Sequence, residues 1–372
     1  MFDVKPLNTL DLIICFRIEW SYTGQLHDPR CYHTATVLPD GKVLVTGGMN
    51  NYPTIIPKSE LYDPSTRKWT PTNHMHTKRI WHTASLLSNG KVLITGGFAI
   101  KHSLSRTCEL FDPSTGNWTE TGSMNYLRVG HTATLLPNGK VLVADGADGA
   151  TGACELYDPV TETWTLTGSM HDSRIFHTAS LLPDGKVLVT GALGDINNGS
   201  LNSSEVYDPA SGVWTLTNSM HYARSSHTAT VLKNGLVLVT GGENGDVTLN
   251  TTQLYNPLTQ TWTQAQPMKT QRNSHTASLL SSGKALVAGG AVDWEFGSKS
   301  TELYDPLTGI WENEEDMQEY RVWHTASTLS DGNILVIAGS ADPSLQESSD
   351  TAELYNSTMK AFSSSNSQSL QK

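Results

Sequence analysis

Four cysteines in 372 residues, no long apolar run and no cluster of basic side chains are the first things this sequence shows. Each shortage removes a class of protein. Cys15, Cys31, Cys108 and Cys154 lie too far apart for a metal knuckle. Cys108 and Cys154 each precede a Glu-Leu-aromatic element where other stretches carry Ser, Thr or Ala, so they read as small half-buried residues rather than as a disulfide. The run Leu12-Ile13-Ile14-Cys15-Phe16 is short, follows Asp11 and lacks a basic flank or a small-residue cleavage site, so it does not read as a targeting segment. No stretch is long enough to cross a membrane as a helix. With 36 acidic against 25 basic residues the net charge is −11, which argues against a nucleic-acid backbone as partner. Five Asn-x-Ser/Thr sequons, at Asn117, Asn198, Asn202, Asn250 and Asn356, are expected by chance in a chain this rich in Asn, Ser and Thr.

What is present is a repeat. His-Thr-Ala triplets begin at His33, His82, His131, His177, His227, His275 and His324, in steps of 49, 49, 46, 50, 48 and 49 residues. A period of this size points to a propeller or a solenoid. Each unit reads as four strands. His-Thr-Ala-Ser/Thr and two aliphatics lead to a turn such as Pro39-Asp40-Gly41, for which a type I′ hairpin is expected. A short, wholly apolar Lys-Val-Leu-Val strand follows, as for a strand buried on both faces. It ends at a glycine pair such as Gly47-Gly48 or Gly241-Gly242, with departures placed at Asp145-Gly146, Gly191-Ala192 and Gly339-Ser340. The third strand, Glu-Leu-Tyr, stops at Asp-Pro because proline cannot continue the ladder, and the fourth carries Trp69, Trp118, Trp164, Trp214, Trp262 or Trp311. One such blade cannot bury both of its faces; a ring of blades can.

A glycine doublet, then Tyr, then six residues, then Trp, as in Gly47-Gly48, Tyr62 and Trp69, resembles the kelch repeat. The resemblance covers about residues 17–362 and implies an all-β, seven-bladed kelch β-propeller with four antiparallel strands per blade. Residues 1–16 then form an N-terminal extension and the Ser-rich residues 363–372 a disordered tail. Trp20 supplies a fourth strand without its own first three, and the last unit has its first three at 324–355, so the N-terminal strand is expected to close the ring. Phe362, at the Tyr-to-Trp spacing from Tyr355, is the rival.

The variation in period comes from one loop. Between the glycine pair and the third strand lie 11, 11, 8, 12, 10, 11 and 12 residues, while the other turns keep their length. In a meander this loop and the blade-to-blade connection emerge on one face, and loops that vary on a rigid scaffold are where binding resides. The residue before each repeated His faces the same side. Its occupants are Tyr32, Trp81, Gly130, Phe176, Ser226, Ser274 and Trp323, so the rim is aromatic on blades seven, one, two and four and open on three, five and six. The loops add Tyr52, Phe98, Trp294 and Phe296, and the acids Asp148, Asp195, Glu243, Asp246, Asp293, Glu295 and Asp342. Aromatics beside polar groups suit a protein or carbohydrate ligand.

Seven symmetric histidines cannot converge on one ion, so each is expected to bridge neighbouring strands. The seven Arg match six Glu and Gln253 in number, which suggests one buried pair per blade. No nucleophile–base arrangement, phosphate loop or close ligand set is visible, so a monomeric, non-enzymatic interaction module with no cofactor and no metal is expected. The second reading rests on Arg30-Cys31-Tyr32-His33 followed by Leu38-Pro39-Asp40-Gly41, which resembles galactose oxidase. There the resemblance implies copper held by Tyr32 and His33. The family's further His, from a separate C-terminal β-domain, and its Cys–Tyr crosslink find no counterpart in this sequence.

Overall fold

The computed structural model describes residues 20–99, 103–146, 152–194, 199–293, 296–343 and 347–357. Seven four-stranded antiparallel sheets stand as blades around an axis. The first blade comprises Thr34–Val37, Val43–Thr46, Ser59–Asp63 and Lys68–Thr72, running from the axis outward. The other blades repeat it, and each innermost strand packs beside those of both neighbouring blades, so the ring closes. The second strands are buried along their whole length, as their uninterrupted aliphatic sequence requires. Between blades, Leu182, Leu188 and Met220 meet Val237, Val239, Tyr255 and Trp262 in one of seven equivalent cores.

The seventh blade is built from both ends of the chain. Thr325–Thr328, Ile334–Ile337 and Thr351–Tyr355 are completed by Trp20–Gln25, with Trp20 opposite Tyr355 and Ser21 opposite Leu354. Trp20 is fully buried, its ring 5.1 Å from that of Tyr355. Phe362 and residues 1–16 lie outside the described residues.

Two local expectations change. The tight hairpins are type I turns with a glycine bulge rather than type I′. Gly41 N–H donates to Leu38 O and Leu38 N–H to Lys42 O, and of Pro39, Asp40 and Gly41 only the glycine has positive φ (84°). Three residues, not two, lie between the bonded Leu38 and Lys42, and a loop of that length closes as a type I turn followed by a left-handed glycine; Ser88-Asn89-Gly90 makes the same bonds without a proline. In blade seven the residues equivalent to Gly47-Gly48 are Ala338-Gly339, not Gly339-Ser340. Ile337 pairs with Thr325 as Thr46 pairs with Thr34, and Ala338 keeps the left-handed backbone (φ 54°) of its glycine counterparts.

Four blades place glycine at both doublet positions, where neighbours press on the backbone, and Asp145, Ala192 and Ala338 each take one of the two places in the others. A Cβ on Gly47 would lie 2.7 Å from His82 Cε1 of the next blade and 2.9 Å from Arg79 O; one on Gly48 would lie 2.7 Å from Cys31 O. The close approach lets the second residue of each pair donate its N–H to the arginine carbonyl of the next blade, at 2.8–3.2 Å in all seven cases. The ring is completed by Gly339 to Arg30.

Each of those arginines is fully buried. Its Nη1 donates to the carbonyl of the first doublet residue of its own blade and to a carbonyl at the start of the third strand. In six blades Nη2 meets the third-strand glutamate at 2.7–3.2 Å. The same carboxylate accepts backbone N–H groups of the incoming connection, as Glu60 does from His27 and Asp28. Blade five departs. Gln253 leaves Arg224 without a carboxylate, and burial pulls that guanidinium down to about 10, with Gln253 Nε2 buried and unpartnered.

The repeated histidines form a second ring. Each Nε2 meets the first-strand threonine of the preceding blade at 2.9–3.1 Å, from His33–Thr325 round to His324–Thr276. All seven are buried, and burial holds every one of them below the ordinary histidine value, to about 3 at His82, His177 and His324. Cys31, Cys108 and Cys154 are buried free thiols.

Two predictions follow from these rings. Gln253→Glu supplies the missing carboxylate and should raise unfolding stability at pH 7 by about 2 kcal/mol, read from the guanidinium midpoint; a loss of stability would count against the pairing. The histidines are neutral in the fold and protonate more readily when unfolded. Their contribution is complete above about pH 6.5 and falls as pH drops below it, by about 1.4 kcal/mol per unit for each ring that stays neutral. Asp145, a buried carboxyl pushed up to about 7, acts in the opposite sense but is one group against seven. The melting temperature should therefore fall steeply from pH 7 to pH 5, and a flat profile would show that the histidines protonate in place.

Candidate ligand-binding face

The residue before each histidine adopts the left-handed conformation in every blade. Tyr32, Trp81, Phe176, Ser226, Ser274 and Trp323 have φ between 52° and 55°, and Gly130 62°. For six non-glycine residues this costs about 1 kcal/mol or more apiece. In five blades the residue also donates a hydrogen bond to its counterpart in the preceding blade. Tyr32 N–H donates to Trp323 O, Gly130 to Trp81, Phe176 to Gly130, Ser226 to Phe176 and Ser274 to Ser226, at 2.9–3.4 Å. These residues therefore form a collar at the mouth of the channel, on the side where the variable loops emerge.

On one side of the collar the side chains merge into an aromatic arc. The Tyr32 ring lies 4.6 Å from Trp323 and 5.1 Å from Trp81, and Trp81 lies 6.0 Å from Phe176 and 6.1 Å from Phe98. The arc rests on Cys31, Met49 and Ile80. Blade three is not open, as its glycine suggested. A Cβ on Gly130 would come within 3.1 Å of the Phe176 ring, so the missing side chain is the space through which Phe176 reaches Trp81. All five rings remain partly accessible. Tyr52 and Phe296 stand apart in solvent, 71% and 63% exposed. Trp294 lies outside the described residues, as do Asp148, Asp195 and Glu295.

The other side of the collar is small and polar. Ser226 Oγ donates to Glu243 Oε1 at 3.0 Å, with Ser225 Oγ at 3.4 Å from the same oxygen. Glu243 belongs to a two-stranded hairpin, Glu243–Asn244 with Val247–Thr248, and its backbone exchanges two hydrogen bonds with Ser225 at 2.9 and 3.0 Å. Burial raises its carboxyl above the ordinary glutamate value, the serine hydroxyls only partly offsetting it. Asp246 and Asp293 are exposed on the same loops and Asp342 is half-buried.

The left-handed collar is the feature that sequence reasoning missed. Its only trace is Gly130 in one of seven copies, because aromatic residues give no sign of positive φ.

Tyr32 and His33, the pair that the galactose-oxidase resemblance singles out, are both tied into the scaffold. His33 Nε2 is occupied by Thr325, its ring is buried, and the Tyr32 phenol, packed between Trp323 and Trp81, is pushed well above its ordinary value by burial. Among the described residues no three His, Cys, Asp or Glu side chains converge as metal ligands.

Comparisons with known proteins agree with the geometry. The family model described as the KLHDC2/KLHL20/DRC7 Kelch-repeats domain matches residues 81–290, and that of the Kelch motif matches residues 29–76. No curated protein matches the chain in sequence. Among solved structures, one titled as a novel fungal alcohol oxidase with catalytic diversity among the AA5 family, in complex with copper, is similar with a TM-score of 0.72. The match is 20% identical and covers 90% of this chain and 76% of that one, a likeness of fold. Seven blades, the glycine doublets and the family match lead to one conclusion: the chain belongs to the kelch-repeat family.

Proposed function

We propose that the chain is a binding module that takes a protein partner on its loop face, centred on the arc of Trp323, Tyr32, Trp81 and Phe176. The observation that carries this reading is the contiguity of those rings. Four blades place large aromatics at a backbone position that disfavours them, and the rings meet on one side of the mouth only. A plug for the channel would need no such asymmetry. Aromatic side chains in a partly buried cluster are the usual anchors of protein interfaces, and kelch domains commonly bind proteins. The rigid rings of Arg and His beneath keep the arc pre-organised, which lowers the ordering cost of association. Aromatic platforms also suit sugar rings, so a glycan is the alternative ligand.

Trp81→Ala combined with Trp323→Ala should weaken capture of the partner at least thirtyfold, about 2 kcal/mol, with the circular dichroism spectrum unchanged. Undiminished capture by the folded double variant would remove the arc from the binding site. Glycan-array binding lost in the same variant would replace the protein by a carbohydrate.

A further inference from the structure

The half of the collar that lacks aromatics carries a carboxylate with an incomplete environment. Glu243 is partly buried and receives two serine hydroxyls, and no arginine, lysine or histidine among the described residues pairs with it. The contrast within the same protein is sharp. The buried third-strand glutamates each hold an arginine and backbone N–H groups. A half-buried carboxylate with hydroxyl donors alone is under-stabilised, and a cation is what would complete it.

Its placement is also fixed. The two-way backbone bridge to Ser225 and the hairpin at 243–248 hold it in position, and Ser226, which bonds its carboxylate, is tied to Phe176 O through the collar. A fixed acid therefore sits one collar step from the end of the aromatic arc. Aromatic faces attract cations through their quadrupole, and they accept the aliphatic stem of a long basic side chain. The surrounding sequence has the same sign. The variable loops of blades three to six carry Asp148, Asp195, Glu243, Asp246, Asp293 and Glu295 against one base, Lys299. Lys299 is engaged over the Tyr320 ring at 5.8 Å.

Resting on the binding reading above, we infer that the mouth recognises a basic side chain of the partner protein, arginine or lysine, whose cationic head meets Glu243 and whose stem lies along the Phe176 end of the arc. Ser226 is a positioning residue that orients the carboxylate. The net charge of −11 adds long-range attraction for a basic partner.

The test uses three fluorescein-labelled Gly/Ser hexapeptides, carrying two arginines, two glutamates or neither, with binding followed by fluorescence anisotropy. The arginine peptide should bind at least tenfold more tightly than the other two. Glu243→Gln should remove at least that tenfold, Glu243→Asp should retain most of it, and Glu120→Gln, on the exposed outer strand of blade two, should leave it unchanged. Circular dichroism checks that each variant is folded. Equal binding of the three peptides overturns the inference, as does equal loss in the Glu243 and Glu120 variants, which would mark non-specific attraction to an acidic protein. If Trp81→Ala with Trp323→Ala abolishes partner capture while the arginine peptide ignores Glu243, the arc binds but the basic class is wrong. If neither set of variants responds, both readings fail.

Discussion

A buried arginine in each blade is the interaction on which the rest of the molecule depends. It joins three things that the chain would otherwise leave loose: the carbonyl at the end of the second strand, the start of the third strand and the connection arriving from the previous blade. Its own carbonyl then accepts the N–H of the preceding blade's doublet, so one residue couples the inside of a blade to the seam beside it. Burying seven guanidinium groups is expensive, and six matched carboxylates together with saturated carbonyls offset the cost. The glycine doublets suit this crowding, with arginine, histidine and methionine of the next blade pressed against them, although Asp145, Ala192 and Ala338 fill one doublet position in three blades.

The scaffold leaves little freedom to the mouth. The collar is bent into the left-handed region in every blade, whatever its side chain. Variation is therefore confined to what hangs from a fixed backbone. Here that variation separates into an apolar arc over blades seven, one, two and four and an acidic, hydroxyl-bearing sector over blade five. A partner meets a surface whose shape is set by symmetry and whose chemistry breaks it.

Much of this was legible in the sequence because symmetry multiplies weak signals. One Gly-Gly pair says little; four pairs and three near-copies, in phase with Tyr or Phe and with Trp, define blades, closure by Trp20 and the arginine–glutamate pairing. What could not be read depends on geometry within a single copy. The hairpins misled because Asp-Gly favours a primed two-residue turn, whereas the loop holds three residues and puts the glycine after a type I turn, with or without a proline at its start. The blade-seven doublet was misplaced by one residue because Gly339-Ser340 looks more like a glycine pair than Ala338-Gly339. At the site, the aromatic residues were identified, but their convergence was not, since Gly130 looked like a gap rather than the passage for Phe176. Glu243 stood in the sequence as one acid among seven; only its serine partners and missing cation set it apart.

The seventh blade adds a constraint of another kind, on the order of events. Trp20 pairs with Tyr355, so the most distant contact in the ring joins nearly the whole described chain. During synthesis from the N-terminus, six blades can fold as they emerge, but the strand Trp20–Gln25 must wait, unpaired, for Thr351–Tyr355. Until then the outer faces of blades one and six have no neighbour, and a strand edge stays uncovered. Non-local pairing of this sort is slow, and the clasp that makes the finished ring hard to open is also the step at which an unfinished one is most exposed to the wrong partner.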